Sequence, residues 1–222
     1  MPSRLPFLLA ALLSFLPAAG RALCTSDGAA QPGVLLERFI NADCADCWRD
    51  PLTPQAATGT LAIDWVVPGR KGQDAPLSAV AAVEAVERLS TLGRAVPDGS
   101  AAVSGRREGF GLPLRLAQGA AFNDYVGASI ELKAPGTTPW QAWLLLVEHL
   151  PAGTEGSPVA RNLVRNVFRP DWDKPAGRAP KRLAETRAMQ IHDGARAERL
   201  RLVAVLQDAR GRIRAISRTE CP

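Results

Sequence analysis

Histidine, cysteine and aromatic side chains are scarce in this chain: two histidines, four cysteines and one tyrosine in 222 residues. Each scarcity removes a class of function. A zinc or soft-metal site on Cys44 and Cys47 needs two further ligands, and only His149, His192 and Met189, all in the other half, could serve. No metal ligand set is therefore assigned. No dense basic face interleaved with aromatics occurs and the formal net charge is only +5, which argues against nucleic acid as a partner. Beyond residue 22 no uncharged run reaches the roughly 20 residues that span a bilayer. The nearest, Trp140–Val147, stops at Glu148 and His149. There is no internal repeat.

The chain opens MPSRLPFLLAALLSFLPAAGRALC. Arg4, the apolar run from Leu5 to about Leu16 and the small residues before Leu23 read as a secretory signal peptide, residues 1–22, cleaved after Ala22. Its loss removes Arg4 and Arg21 and no acid, so the charge falls from +5 to +3. The expected location is periplasmic or secreted, with no membrane association after cleavage. Thiols in such compartments tend to be oxidised. Four cysteines allow three pairings. The Cys44-Ala45-Asp46-Cys47 spacing suits a local disulfide and leaves Cys24 and Cys221 to tie the two ends together. Chain entropy puts the long loop at roughly 5 kcal/mol as an upper figure and the short loop at about 2 kcal/mol. A purely structural clip at 44–47 gains little, which raises the weight of a functional one.

Residues 23–32 read as a flexible lead-in. GVLLERFI (33–40) and GTLAIDWVV (59–67) read as buried strands, and a short helix follows Cys47, ended by Pro51 or Pro54. The stretch 77–93 is the best helix pattern, with Pro76 near its first turn, Val83, Val86 and Leu89 as its apolar face and Gly93 as its stop. From about residue 108 the pattern changes to strand after strand: LPLRLAQG, GASIELKA, WQAWLLLVEHL and a closing hairpin of ERLRLVAVLQ and RIRAIS. SPVARNLVRNVFR (157–169) fits a helix or a strand by periodicity. The expected fold class is α/β plus all-β: a small thioredoxin-like domain (33–107) followed by an antiparallel β-sandwich (108–222).

A strand running directly into Cys-x-x-Cys at the start of a helix is the arrangement of a thioredoxin fold. Unpaired N–H groups at the helix start favour a thiolate there, so Cys44 reads as the nucleophile and Cys47 as the resolving thiol. Asp43 and Asp46 oppose the thiolate, with Arg38 and Arg49 available to offset them. Glu37 and Asp64 are the acids set in apolar strands. Glu37 is a candidate proton acceptor near the cysteines. Trp48, His149 and His192 read as packing or surface residues, and Arg161, Arg165 and Arg169 as a solvated basic face.

LLERFINADCADC resembles the start of a family of secreted thioredoxin-like proteins of unknown function, with Glu37, Phe39, Cys44 and Cys47 matching position by position. The resemblance implies a thioredoxin-like part followed by an immunoglobulin-like β-sandwich, and a strand at 160–168. It also implies that Pro97, in VPDGSAAVSGR, is a cis-proline packed on the Cys-x-x-Cys disulfide. This chain departs from the family at Asn41-Ala42-Asp43 and lacks the aromatic continuation after the second strand. The expected function is thiol–disulfide exchange with a protein thiol or disulfide partner, without a cofactor, Cys44 attacking, Cys47 resolving, Pro97 presenting substrate backbone and Glu37 shuttling a proton. The rivals are a non-enzymatic binding or assembly module with both disulfides structural and, lower, a soft-metal chaperone. Oligomeric state is open.

Overall fold

Eleven strands and two helices follow one another in the order β1 (Cys24–Thr25), β2 (Val34–Asn41), α1 (Ala45–Arg49), β3 (Thr60–Val67), α2 (Val83–Thr91), β4 (Ser100–Arg106), β5 (Leu114–Phe122), β6 (Tyr125–Lys133), β7 (Trp140–Leu150), β8 (Arg161–Phe168), β9 (Arg182–Gln190), β10 (Leu200–Asp208) and β11 (Ile213–Arg218). The computed structural model describes residues 23–174 and 177–221. The expected signal peptide lies outside them.

The strands form a seven-stranded sheet, β11-β10-β7-β8-β3-β2-β4, and a four-stranded sheet, β1-β5-β6-β9. In the large sheet β2 runs parallel to β3 and β3 parallel to β8, while every other neighbouring pair is antiparallel. The apolar runs of the sequence are strands covered on both faces, which removes any need to alternate with polar residues. On β7, Ala142, Leu144 and Leu146 meet Leu116, Ile130 and Leu132 of the small sheet. Its other face, Trp143, Leu145 and Val147, joins Leu35, Phe39, Ile63 and Trp65 in a second core closed by Ala85 and Leu89 of α2. β10 divides the same way, with Leu202 and Ala204 in the first core and Val203 and Val205 in the second.

This architecture corrects the expected α/β plus all-β class. Among the described residues strands hold 44% and helices, 3₁₀ turns included, 12%, in two sheets with two α-helices. The region expected as a thioredoxin-like domain supplies three strands to the same large sheet as the region expected as a sandwich. The second core likewise mixes Leu35 and Phe39 with Trp143, Val203 and Ile213, and a third cluster around Ile40, Trp48 and Val66 includes Leu150 and Leu163. The sheet curls far enough that Glu108, just past β4, donates its N–H to the Ile213 carbonyl of β11 at 2.8 Å.

Local differences have local causes. The 77–93 helix is shortened: Ser78–Val80 is a 3₁₀ turn, and Ala82 is extended because its N–H is drawn to the Val66 carbonyl at 3.0 Å. The buried side of α2 carries Ala85, Arg88 and Leu89, whereas Val83 and Val86 face outward. The buried register is set by Arg88, whose partners lie inside the sheet. The lead-in is no loose tail. β1 pairs with β5, Cys24 is buried and disulfide-bonded to Cys221, and Thr25 bridges Glu220. Residues 161–168 form a strand, β8. Among the described residues no helix is long and apolar enough to cross a membrane.

Candidate functional site: the Cys44–Cys47 disulfide and its two buried ion centres

The carboxyl ends of the parallel strands β2 and β3 meet the loop before β4, and the second disulfide sits there, between Cys44 and Cys47. Asn41, the last residue of β2, organises the corner. Its N–H donates to the Gly99 carbonyl at 2.7 Å and its Nδ2 to the Pro97 carbonyl at 2.9 Å, while its Oδ1 accepts the Asp43 N–H at 2.9 Å. Asp43 in turn accepts the N–H groups of Arg70 and Lys71, at 2.8 and 3.3 Å. A Cβ at Gly69 would collide with the Asp43 carboxylate, so a larger residue there must displace that carboxylate from the Arg70–Lys71 turn. The sequence contains the corner residues but no spacing that marks them as partners.

Helix α1 begins immediately after Cys44, and Asp50 leaves the helical conformation ahead of Pro51. It is a single turn of five residues, so the anion-favouring group is one donor rather than a helix end. That donor is the Cys47 N–H, 3.2 Å from Cys44 Sγ. Hydrogen bonding to a thiolate favours the charged form. The carboxylates expected to oppose it are turned away or solvated: Asp43 faces the Arg70–Lys71 turn, and Asp46 is 99% exposed beside Arg49. Both cysteines are half-buried. A Cβ at Gly99 would lie 3.2 Å from Cys47 Sγ and 4.0 Å from Cys44 Sγ, so the glycine leaves that side of the disulfide without a covering side chain. A groove of about 200 Å³ opens beside Cys47, lined also by Thr53, Pro54 and Ser100–Ala102.

Two sequence-derived roles change. Pro97 is not a cis-proline, since no cis peptide bond occurs among the described residues. It contributes its carbonyl to Asn41, and Gly99 is the residue against the sulfurs. Glu37 is engaged in an ion pair rather than placed in the groove beside Cys47. It is buried on the second-core side of β2 with both carboxylate oxygens engaged: Arg88 Nε and Trp65 Nε1 donate to Oε1 at 2.8 and 3.1 Å, and Arg88 Nη2 donates to Oε2 at 2.7 Å. Arg88 also donates to Gln207 Oε1 of β10 at 2.5 Å, tying α2 across the curled sheet. Glu37→Gln is expected to cost about 1.5–3 kcal/mol, the scale of a hydrogen bond to a charged group. It should leave the Cys44–Cys47 reduction potential unchanged, which denaturant unfolding and a redox titration of the same variant would check.

A second ion centre lies on the opposite face of β2 and β3. Asp64 accepts from Arg38 Nη2 at 2.6 Å, from Arg161 Nη1 at 2.8 Å and from the Asn162 N–H at 3.0 Å. All three charged residues are buried. Burial pushes the Arg161 pKa down, and the Asp64 charge works against that shift. Arg161 Nη2 also donates to the Trp48 carbonyl at 2.8 Å and its guanidinium stacks on the Trp48 ring at 4.5 Å, so this centre pins α1 to the sheet. Trp48 is a packing residue, its Nε1 donating to the Glu155 carbonyl at 2.7 Å. The expected solvated face at 161–169 holds only for Arg169, which is exposed, pairs with Glu87 and stacks on Trp143, whereas Arg161 pairs with Asp64 and Arg165 with the buried Glu148. In the sequence, arginines four residues apart resemble a solvated face, and only the acids brought from β3 and β7 show that Arg161 and Arg165 are buried instead.

His149 and His192 are exposed and line other concavities, of about 400 and 310 Å³, which include neither Cys44 nor Cys47. Among the described residues no group of three His, Cys, Asp or Glu side chains could hold a metal ion.

No family model matches the chain, and no curated protein matches it. Among solved structures it is similar to the crystal structure of an Agrobacterium tumefaciens protein determined as a structural genomics target. The two share 12% identity over 84% of this chain and 92% of the other, with a TM-score of 0.42. So distant a likeness assigns neither family nor function.

Proposed function

We propose that this protein exchanges disulfides with thiols of partner proteins through Cys44 and Cys47, in the periplasm or outside the cell. The observation that carries the reading is the Cys47 N–H aimed at Cys44 Sγ within a half-buried disulfide left uncovered at Gly99. Two disulfides support an oxidising compartment.

In the oxidised form a partner thiolate attacks the disulfide, forms a mixed disulfide with Cys44 and expels the Cys47 thiolate. A second partner thiolate attacks the partner's own sulfur in that bond and releases the Cys44 thiolate, which the Cys47 N–H stabilises. The partner dithiol loses two electrons and two protons, and Cys44 and Cys47 gain them. In the reverse direction Cys44 attacks a partner disulfide and Cys47 resolves the mixed species.

A redox titration with thiol trapping and mass mapping of each cysteine tests this. The expected result is a Cys44–Cys47 potential above about −230 mV with Cys24–Cys221 below about −300 mV. Cys47→Ser should accumulate mixed disulfides that Cys44→Ser does not. Potentials below about −300 mV for both pairs would make both disulfides structural and leave a binding module as the reading.

A further inference from the structure

An exposed strand edge is a template for another strand, and proteins commonly blunt such edges with charges or proline. Among the described residues the large sheet ends at β4 and β11, and the small sheet at β1 and β9. β1 is only two residues long; β9 carries Arg182, Glu185 and Arg187, and β11 carries Arg214 and Arg218. β4 differs. From Ser100 to Gly105 it reads SAAVSG, without a charge or a proline, and its first charge is Arg106 at the far end.

Register defines what this edge offers. Asn41 donates its N–H to the Gly99 carbonyl and Arg107 donates to the Gly33 carbonyl, so the odd-numbered residues of β4 are bonded to β2. The alternation of an antiparallel pair then turns the N–H and C=O groups of Ser100, Ala102, Ser104 and Arg106 away from β2, along an outer edge that β11 meets only beyond Arg106, where Glu108 donates its N–H to Ile213. Ser100, Ala102 and Ser104 are exposed, with small side chains that leave room for larger ones opposite. The edge begins at Gly99, against the disulfide, and the groove beside Cys47 is walled by Ser100–Ala102 on one side and Thr53 and Pro54 on the other.

We infer that the outer edge of β4 is the docking strand for the exchange partner: an extended polypeptide segment adds antiparallel as an eighth strand. A small apolar side chain enters the groove, and a cysteine at the segment's C-terminal end lies beside the Cys44–Cys47 disulfide. This rests on the exchange reading and names the substrate class: cysteines in extended or unfolded segments, rather than small thiols.

Ser104→Pro tests it. Proline removes one outward N–H and no β2–β4 hydrogen bond, a placement that edge strands accept. Ser104→Lys, which keeps the backbone donor and adds a charge to the edge, serves if the proline disturbs folding. The probe is an alternating Thr-Val peptide ending in cysteine, compared with glutathione by the rate of mixed-disulfide formation in mass spectrometry. The wild type is expected to prefer the peptide by about ten-fold, the scale of one or two net backbone hydrogen bonds. Both variants should lose that preference and keep the glutathione rate. A peptide preference that survives in both variants, or equal rates for the two thiols in the wild type, overturns the docking strand alone. No reaction with either thiol overturns the exchange reading and the docking strand with it.

Discussion

Asp64→Ala is expected to lower unfolding free energy by about 3–5 kcal/mol, because it leaves two buried guanidiniums, Arg38 and Arg161, without a counter-ion. The position has a second importance. β3 and β8 are the strands through which residues 33–107 and 108–222 join, and their backbone pairing is registered only at Asp64 and Leu163. Side chains replace the missing ladder: Asp64 accepts the Asn162 N–H, and Asn162 Nδ2 donates to the Ala62 carbonyl at 2.8 Å. The loss should therefore be accompanied by faster amide exchange at Asn162 than in the β7–β10 ladder. Replacing Asp64, Arg38 and Arg161 together with apolar residues of similar volume should cost less than Asp64→Ala alone, since no charge is then stranded. Denaturant unfolding of the two variants, with hydrogen exchange on the first, measures all of this. A loss below about 1 kcal/mol for Asp64→Ala would mean that water reaches the arginines and the seam is not held by charge.

Removing the Cys24–Cys221 bond, as the double variant Cys24→Ala and Cys221→Ala, is expected to cost up to roughly 5 kcal/mol, because the closed loop is nearly the whole described chain. The bond anchors β1 on β5, where only Cys24–Gln118 and Thr25–Ala117 pair, and holds Glu220 against Thr25. Two residues of strand have little pairing of their own, so β1 should detach in the variant while the rest of the small sheet stays ordered. Unfolding midpoints under non-reducing conditions give the energy, and amide protection at Ser26, whose N–H donates to the Leu116 carbonyl at 3.1 Å, reports the detachment. A drop of no more than about 2 kcal/mol, the value expected for the short Cys44–Cys47 loop, would place the effect in native-state contacts rather than chain entropy.

Much of the strand content is legible from side-chain pattern. GVLLERFI, GTLAIDWVV and WQAWLLLVEHL coincide with β2, β3 and β7 to within a residue, and the closing hairpin is β10 and β11. Both disulfides follow the pairing that spacing and elimination suggest. Other elements carry a misleading pattern or none. The β5–β6 hairpin turns on Asn123 and Asp124, both at positive φ, without a glycine. β9 is mostly exposed and carries three charges in nine residues, so its alternation has almost no apolar side to detect. α2 carries its outward valines where an apolar face is expected and buries Arg88.

The amino-acid sequence by itself determined the long apolar strands β2, β3, β7 and β10, their burial on both faces, and where the cysteines can pair. These are local quantities, carried by runs, alternation and spacing. Only the tertiary structure decided that the two regions share one sheet, that Glu37 and Asp64 each meet arginine, and that Gly99 lies against the disulfide while Pro97 is trans. Those outcomes depend on contacts between residues 26 to 99 positions apart, from Arg38 with Asp64 to Asp64 with Leu163. A charged residue in an apolar strand has the same local pattern whether it faces a reaction or a buried counter-ion. What separates the two is the partner that folding brings to it.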